Sequence, residues 1–557
     1  MREGEFDQAK SVVVRSGLDR AIEARLGRRI GARHRLTVLG FLVAQMLNGS
    51  RRGHRALVVE ITKILNGLGP ASLLRLDMPR WSQKGSYDRV QRLHSAIAAA
   101  LDEGWDYVDD DGVTQRCGWD WFTTTFIRAA IDPEVLRALY GNVALAIDGT
   151  EMESCGDLKG SLETIDLDGD GPPPEELDLT SATNGKRRRR PKKAPVLGIG
   201  DDGRKIYTKD CDARAGWRTG NANHDPGKYI GREAHLGVAV RKLVNTDGVR
   251  WVKFGPDVPP VILAACVVPA GAHRARSILE LALEAARAGL GDDDVLDAGY
   301  SMSRPEFLHY PMQRAGIGLT MRPAQVQRGE KPGVGAARHI DGHLFAAQLP
   351  DDLVELPAPP VGASGEEKLP YIAAFDRRAK YRYSRIKAPG TDGVTRWEHP
   401  VKAGTLRSRQ VPRSMRNSTS APLIELGPDA DLRTVTAGAD ALPMWQPCLF
   451  GTTAWHEVMG RRQLVESVNS RLHGGGGSLT EISRGYTRLL DSGRIRLFFA
   501  ATIAGLNRVI SRQWLEDKAR SMGRGQGVSG SGRRAPRKGR ARRYEDPPAL
   551  AGPDPPT

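Results

Sequence analysis

The sequence predicts an α/β protein in which a sheet-based domain follows a helical region and is interrupted by a β-rich insertion. Three observations carry that prediction. Two short, largely apolar runs, residues 142–147 and 294–296, each lead directly into a carboxylate, Asp148 and Asp297, as buried strands with a polar edge do. Between them, several strand-like segments precede one amphipathic helix, a succession that builds layered α/β domains. Helical periodicity dominates both flanks, while alternating, Pro/Gly-rich texture fills residues 322–442.

Residues 1–140 read as helical. Leu36, Leu39, Leu42, Val43, Met46 and Leu47 recur at helical spacing before Gly49. A second helix covers residues 56–65 and stops at Asn66-Gly67. A third, 87–101, turns Val90, Leu93, Ile97 and Leu101 inward, with Ser86 as its N-cap. The intervening Arg51, Arg52, Arg55, Arg80 and Lys84 suit either a solvated helical bundle or a domain that holds DNA phosphates.

Residues 141–321 form the first part of the sheet domain. After the strand at 142–147, an acidic Pro/Gly-rich excursion at 156–195 ends in KRRRRPKK, seven basic side chains in eight positions. Strands are expected at 196–199, 204–207, 235–240 and 261–268, a helix at 274–288, then the strand entering Asp297. Within the insertion, residues 343–349, 371–375 and 381–386 read as strands. Residues 443–515 return to helix, at 454–472 and 494–514. Residues 516–557 form a basic Gly/Arg/Ser tail expected to be disordered.

Composition narrows the function classes. Lys and Arg number 82 against 66 Asp and Glu, a formal charge of +16 on 557 residues that points to a polyanionic partner. The five cysteines include no C-x-x-C pair and favour neither a disulfide framework nor a zinc ribbon. The most apolar stretch, 36–47, falls short of the roughly twenty residues that span a bilayer, so a soluble, cytoplasmic protein is expected. DLDGDG lacks the Glu that closes a calcium loop, and Gly474 to Gly477 lack the Gly-Lys-Ser/Thr of a P-loop.

Carboxylates at strand ends meet ligands at the sheet edge, and Mg²⁺ favours such oxygen donors together with substrate phosphate. A third carboxylate comes from the helix at 454–472. There Arg462, Glu466, Asn469 and His473 share one face, beside an apolar side made by Val465, Val468 and Leu472. Taken singly, Asp148 also reads as a turn residue before glycine, and Glu466 as a surface carboxylate paired with Arg462.

Three segments, AIDGTEME around Asp148, VLDAGYS around Asp297 and GRRQLVESVNSRLH around Glu466, resemble the DDE transposases of bacterial insertion sequences. The likeness is closest to the cut-and-paste subgroup that carries a β-rich insertion between its second Asp and its Glu. It implies an RNase H-like catalytic domain in which Asp148, Asp297 and Glu466 hold two Mg²⁺ ions, Mn²⁺ substituting. It further implies cleavage at transposon ends, attack of the resulting 3′-hydroxyl on a target-DNA phosphodiester in a transesterification, a homodimer on paired ends and a nucleoid-associated place in the bacterial cytoplasm. The subgroup's Tyr–Arg–Glu–Lys signature falls on Met459, Arg462, Glu466 and His473, so two of its four positions match. Arg462, Asn469, His473 and the run Arg187, Arg188, Arg189 and Arg190 are the expected DNA contacts. A nuclease without strand transfer and a non-catalytic repressor are the alternative readings.

Overall fold

A computed structural model describes residues 3–27, 36–49, 57–109, 112–153, 198–200, 203–206, 212–218, 227–271, 274–335, 337–360, 363–387, 394–406, 423–426, 442, 444–474, 479 and 492–525. The basic run from Arg187 to Arg190, the acidic excursion before it and the tail beyond 525 lie outside the described residues.

At the centre is a six-stranded mixed sheet: β1 (Val143–Glu153), β2 (Arg214–Arg218), β3 (Gly227–Arg241), β4 (Ile262–Pro269), β5 (Asp293–Leu296) and β6 (Gly318–Thr320). Its path is β4-β3-β1-β5-β6, and β2 also pairs with β3. β3 and β1 run antiparallel along their length, with Val143 opposite Arg241 and Glu153 opposite Gly231. β5 lies parallel to β1, with Leu296 opposite Ile147, and parallel to β6. This register puts Asp297, the residue after β5, level with Asp148.

Two strands run longer than expected. β1 does not stop at Asp148 but continues to Glu153, because β3 offers an unbroken partner and Thr150 and Met152 keep the buried alternation going. β3 likewise extends to fifteen residues, well beyond the expected 235–240.

The α-helices among the described residues are α1 (Glu3–Ser16), α2 (Leu18–Leu26), α3 (Val38–Gly49), α4 (Leu57–Asn66), α5 (Pro70–Arg75), α6 (Ser86–Glu103), α7 (Trp119–Ala129), α8 (Pro133–Leu139), α9 (Arg274–Arg287), α10 (His309–Arg314), α11 (Gly365–Ala379), α12 (Thr453–Gly460), α13 (Gln463–Gly474) and α14 (Ser492–Gly525). Ser86 is the first residue of α6 rather than its cap; Gly85, at φ 66°, makes the entry turn. The N-terminal region also contains a hairpin, Trp105–Val108 with Thr114–Cys117, which its helical texture did not announce.

Side-chain alternation along β1 separates two cores. Val143, Leu145 and Ile147 pack among residues of α8 and α9, including Leu139, Ile278 and Ala282. Ala144, Ala146 and Met152 join Val465, Val468 and Leu472 of α13 in a core shared with the N-terminal helices. Asp148 has the parity of this second face. α14 reaches into the same core, where Phe498, Phe499 and Ile503 lie with Phe41, Leu42 and Ile97. The N-terminal helices therefore share a core with the sheet instead of forming a lobe of their own. Further along α14, buried Asn507 completes the outer edge of β4. Its Oδ1 accepts the Ile262 N–H at 2.8 Å, and its Nδ2 donates to the carbonyls of Ile262 and Ile127.

Among its described residues the insertion holds two three-stranded antiparallel sheets. One comprises Glu330–Val334, Ala337–Ile340 and His343–Phe345; the other Ser384–Lys387, Thr395–Glu398 and Leu423–Leu426. Residues 371–375, expected as a strand, belong instead to α11. Its N-terminus is set by a capping box in which Ser364 and Glu367 bond each other's backbone N–H, and Arg377 and Arg378 sit in its last turn. The expected single helix at 454–472 is two helices. Gly460 ends α12, and Arg461 and Arg462 form a turn in which the Val465 N–H donates to the Arg462 carbonyl at 3.0 Å.

Candidate active site

Asp148, Asp297 and Glu466 come from β1, the end of β5 and α13, and all three lie around one guanidinium. Arg462 Nη1 is 2.8 Å from Glu466 Oε1, and Nη2 is 3.2 Å from Asp297 Oδ1 and 3.7 Å from Asp148 Oδ2. Each element delivers its side chain for a local reason. Alternation turns Asp148 toward α13, the parallel register sets Asp297 beside it, and the apolar side of α13 lies on the sheet so that its polar side overhangs both.

Exposure is graded across the group. The Asp148 side chain is 14% exposed, whereas those of Asp297 and Glu466 are 41% and 39% exposed. Asp148 thus forms the floor of an open site. Burial first, then the charge of Asp297, pushes its carboxyl up to about 7, against the pull of Arg462 and of a hydrogen bond from the Gly149 N–H. Burial opposes the charged form of Arg462, yet Asp297, Asp148 and Glu466 together hold its guanidinium above the ordinary value.

Of the expected DNA-contacting residues, Arg462 lies among the acids. His473, at the far end of α13, sits over β1 with Nε2 2.5 Å from Thr150 Oγ1. Asn469 stands between them, and its buried Oδ1 has no hydrogen-bond partner among the described residues. The stripe Arg462, Glu466, Asn469 and His473 therefore overlies β1 on the face that carries Asp148.

A buried polar chain behind the acids is absent from the sequence reading. Tyr300, in the short turn after Asp297, places its hydroxyl 3.1 Å from His235 Nδ1 on β3. Glu233, two residues before His235, pairs with Arg274 of α9 and accepts from the Tyr229 hydroxyl at 3.3 Å. Arg274 wins over burial and keeps the Glu233 carboxylate below its usual range. Burial drives His235 down to about 4, so it is neutral, and lifts Tyr300 well above an ordinary phenol. The available signal was the alternation Glu233, His235 at the entry to the apolar run 236–240. Gly149 accommodates this chain, since a β-carbon there would lie 2.9 Å from Tyr300 Oη and 3.0 Å from His235 Nδ1.

The donor set is all carboxylate oxygen, which fits a hard divalent ion in kind. In spacing, the three acids surround a guanidinium, and among the described residues no three His, Cys, Asp or Glu side chains close up tightly enough to hold an ion. A cavity of about 700 Å³ lies elsewhere, along β4 and α9 beside Trp119 and Arg496, and contains none of the three acids. Among the described residues no helix is long and apolar enough to cross a membrane. Comparisons with protein-family models, with curated proteins and with solved structures each found no match.

Proposed function

We propose that this chain is a DDE transposase whose RNase H-like domain uses Asp148, Asp297 and Glu466 to cut transposon ends and join them to target DNA. The observation that carries the reading is convergence: three acids from distant segments lie within 2.8–3.7 Å of Arg462. The sheet supports it as well. Three antiparallel strands continue into two parallel ones, with Asp148 on the central strand and Asp297 at the end of its parallel neighbour.

Asp148, Asp297 and Glu466 would hold Mg²⁺, which when bound activates the attacking oxygen and stabilises the leaving one in phosphoryl transfer. Arg462 pairs with a DNA phosphate in the fork geometry that guanidinium and phosphate share. His473 and Asn469 extend that contact along α13. The basic run Arg187–Arg190 adds sequence-independent attraction to the duplex. The chain acts as a homodimer on paired ends, in the bacterial cytoplasm.

The test is strand joining. Protein, Mg²⁺ and a duplex carrying the element's terminal repeat are incubated with a supercoiled plasmid, and joined products are scored. Joining lost in Asp297→Asn and Glu466→Gln is the expected result. Cutting without joining would assign a nuclease, and DNA binding without cutting would assign a repressor.

A further inference from the structure

Arg462 occupies the ground that a divalent ion would need. Its two terminal nitrogens are already committed to the three carboxylates, and those carboxylates are spread around a planar fork rather than closed on a point. A guanidinium does not yield by losing its proton at physiological pH. The cation must therefore move aside if a second positive centre is to take the same oxygens.

The surroundings permit that movement in one direction. Arg461, the preceding residue, is buried and anchored by Asp293 and by the Arg241 carbonyl, so the turn backbone is fixed. The Arg462 side chain is 24% exposed, and its Nε has no hydrogen-bond partner among the described residues. Asp297 and Glu466, 41% and 39% exposed, flank the open side, from which a phosphate backbone would approach. A phosphate there offers the fork two oxygens in place of the carboxylates it gives up.

We propose that Arg462 is a resident cation that competes with divalent metal for Asp148, Asp297 and Glu466 and releases them when a DNA phosphate captures its guanidinium. Metal and DNA then bind with positive coupling, and by linkage each strengthens the other equally. The arginine keeps the carboxylate cluster together without metal and ties metal loading to the presence of substrate. This inference rests on the transposase reading of the site.

The experiment measures Mn²⁺ binding to the full chain by the free-ion electron paramagnetic resonance signal, with and without a short duplex, after subtracting Mn²⁺ bound by the duplex alone. Without DNA, Arg462→Gln is expected to bind Mn²⁺ about tenfold more tightly than the wild type, since one competing charge is gone. Duplex should tighten Mn²⁺ binding to the wild type by about the same factor and leave Arg462→Gln nearly unchanged. Arg462→Lys, which keeps the charge, should stay close to the wild type without DNA. Thermal unfolding of each variant checks that the fold is intact. Equal or weaker Mn²⁺ binding by Arg462→Gln overturns the inference, as does a gain in Arg462→Lys matching that in Arg462→Gln. Asp297→Asn separates the two levels: wild-type Mn²⁺ binding that survives this change overturns the reading of the site itself.

Discussion

Arg461 and Arg462 are consecutive and bind opposite ends of the same strand. Arg461 Nη1 donates to Asp293 Oδ2 at 2.7 Å at the start of β5, and Arg462 Nη2 lies 3.2 Å from Asp297 Oδ1 just past its end. The first pair is buried, with side chains 6% and 10% exposed, and the second is open to solvent. One arginine fixes the turn between α12 and α13, so the other meets the acids at a set distance.

Arg461→Ala leaves the buried Asp293 carboxylate without its cation, the Leu243 N–H still donating to it, and removes a donor from the Arg241 carbonyl. Breaking a buried pair from one side costs about 3–5 kcal/mol. A urea titration should show that loss. Arg461→Lys should recover less than half of it, because a lysine cannot reach both acceptors while also stacking on Phe254 as this guanidinium does, at 5.2 Å from the ring centroid. A loss below about 1 kcal/mol, the usual worth of a surface pair, would show that Arg461 anchors nothing.

Gly149→Ala places a methyl group against the Tyr300 hydroxyl and the His235 ring, both buried and neither the free end of a flexible chain. One of them must shift, and Tyr300 belongs to the turn that follows Asp297. The expected result is a stability loss of about 1–3 kcal/mol together with a fall in strand cleavage. Thermal unfolding and a cleavage assay read the two effects, and unchanged cleavage would mean that Tyr300 does not hold the Asp297 turn.

The raised Asp148 carboxyl makes a pH prediction whose sign is fixed. An acid that holds its proton more tightly when folded costs stability once it ionises. That cost is absent below about pH 4, where folded and unfolded chains are both protonated, grows up to about 7 and is constant above it. Asp148→Asn carries no such cost, so its stability relative to the wild type should rise by on the order of 1–3 kcal/mol across that window. The 14% of the side chain that water reaches keeps the gain modest. Urea midpoints of both proteins, measured from pH 4 to pH 8 with chelator present, give the difference. A difference independent of pH would contradict the assignment.

Much of this site could be read from the chain because strands and helices expose their periodicity. The apolar runs before Asp148 and Asp297 placed two carboxylates near the sheet, and the stripe Arg462, Glu466, Asn469, His473 placed a third carboxylate, Glu466, over them. What the sequence did not show depends on partners far away in the chain. β1 outlasts its apolar run because β3 pairs with it along its length, and residues 371–375 are helical because Ser364, seven residues earlier, starts a cap. The chain from Tyr300 to His235, Glu233 and Arg274 is assembled from three elements, and no local pattern links them. The turn at Arg461 and Arg462 is marked in the sequence by Gly460 alone, a weak signal beside strong helical periodicity.

Asn507→Ala should destabilise the fold by about 2–4 kcal/mol, since it removes the hydrogen-bond partner of one buried N–H and two buried carbonyls. Asn507→Asp keeps the acceptor but loses both donations, so it should be at least as damaging. Thermal unfolding of the two variants decides the matter, and an aspartate variant as stable as the wild type would refute this account of the β4 edge.

Replacing Arg187, Arg188, Arg189 and Arg190 with alanine tests the phosphate-contact role expected of the basic run. Each lost contact should reduce the slope of log affinity against log salt by about 0.9, so the four together lower it by up to about 3–4. Fluorescence anisotropy with a labelled duplex between low and moderate salt measures the slope. An unaltered slope would leave those arginines as a solvated linker.

Helix α14 packs with α3 and α6 although it is translated hundreds of residues later, and Asn507 bonds to Ile127 across 380 positions. During synthesis, the first helices emerge without the element that closes their core. The part of their apolar surface that α14 covers stays exposed until α14 has been made, a period in which partly assembled chains are prone to misassociation. A ribosome that stops short of α14 therefore leaves that part of the N-terminal core uncovered. If that region binds DNA, truncated products would not accumulate as folded competitors for the sites that the finished protein uses.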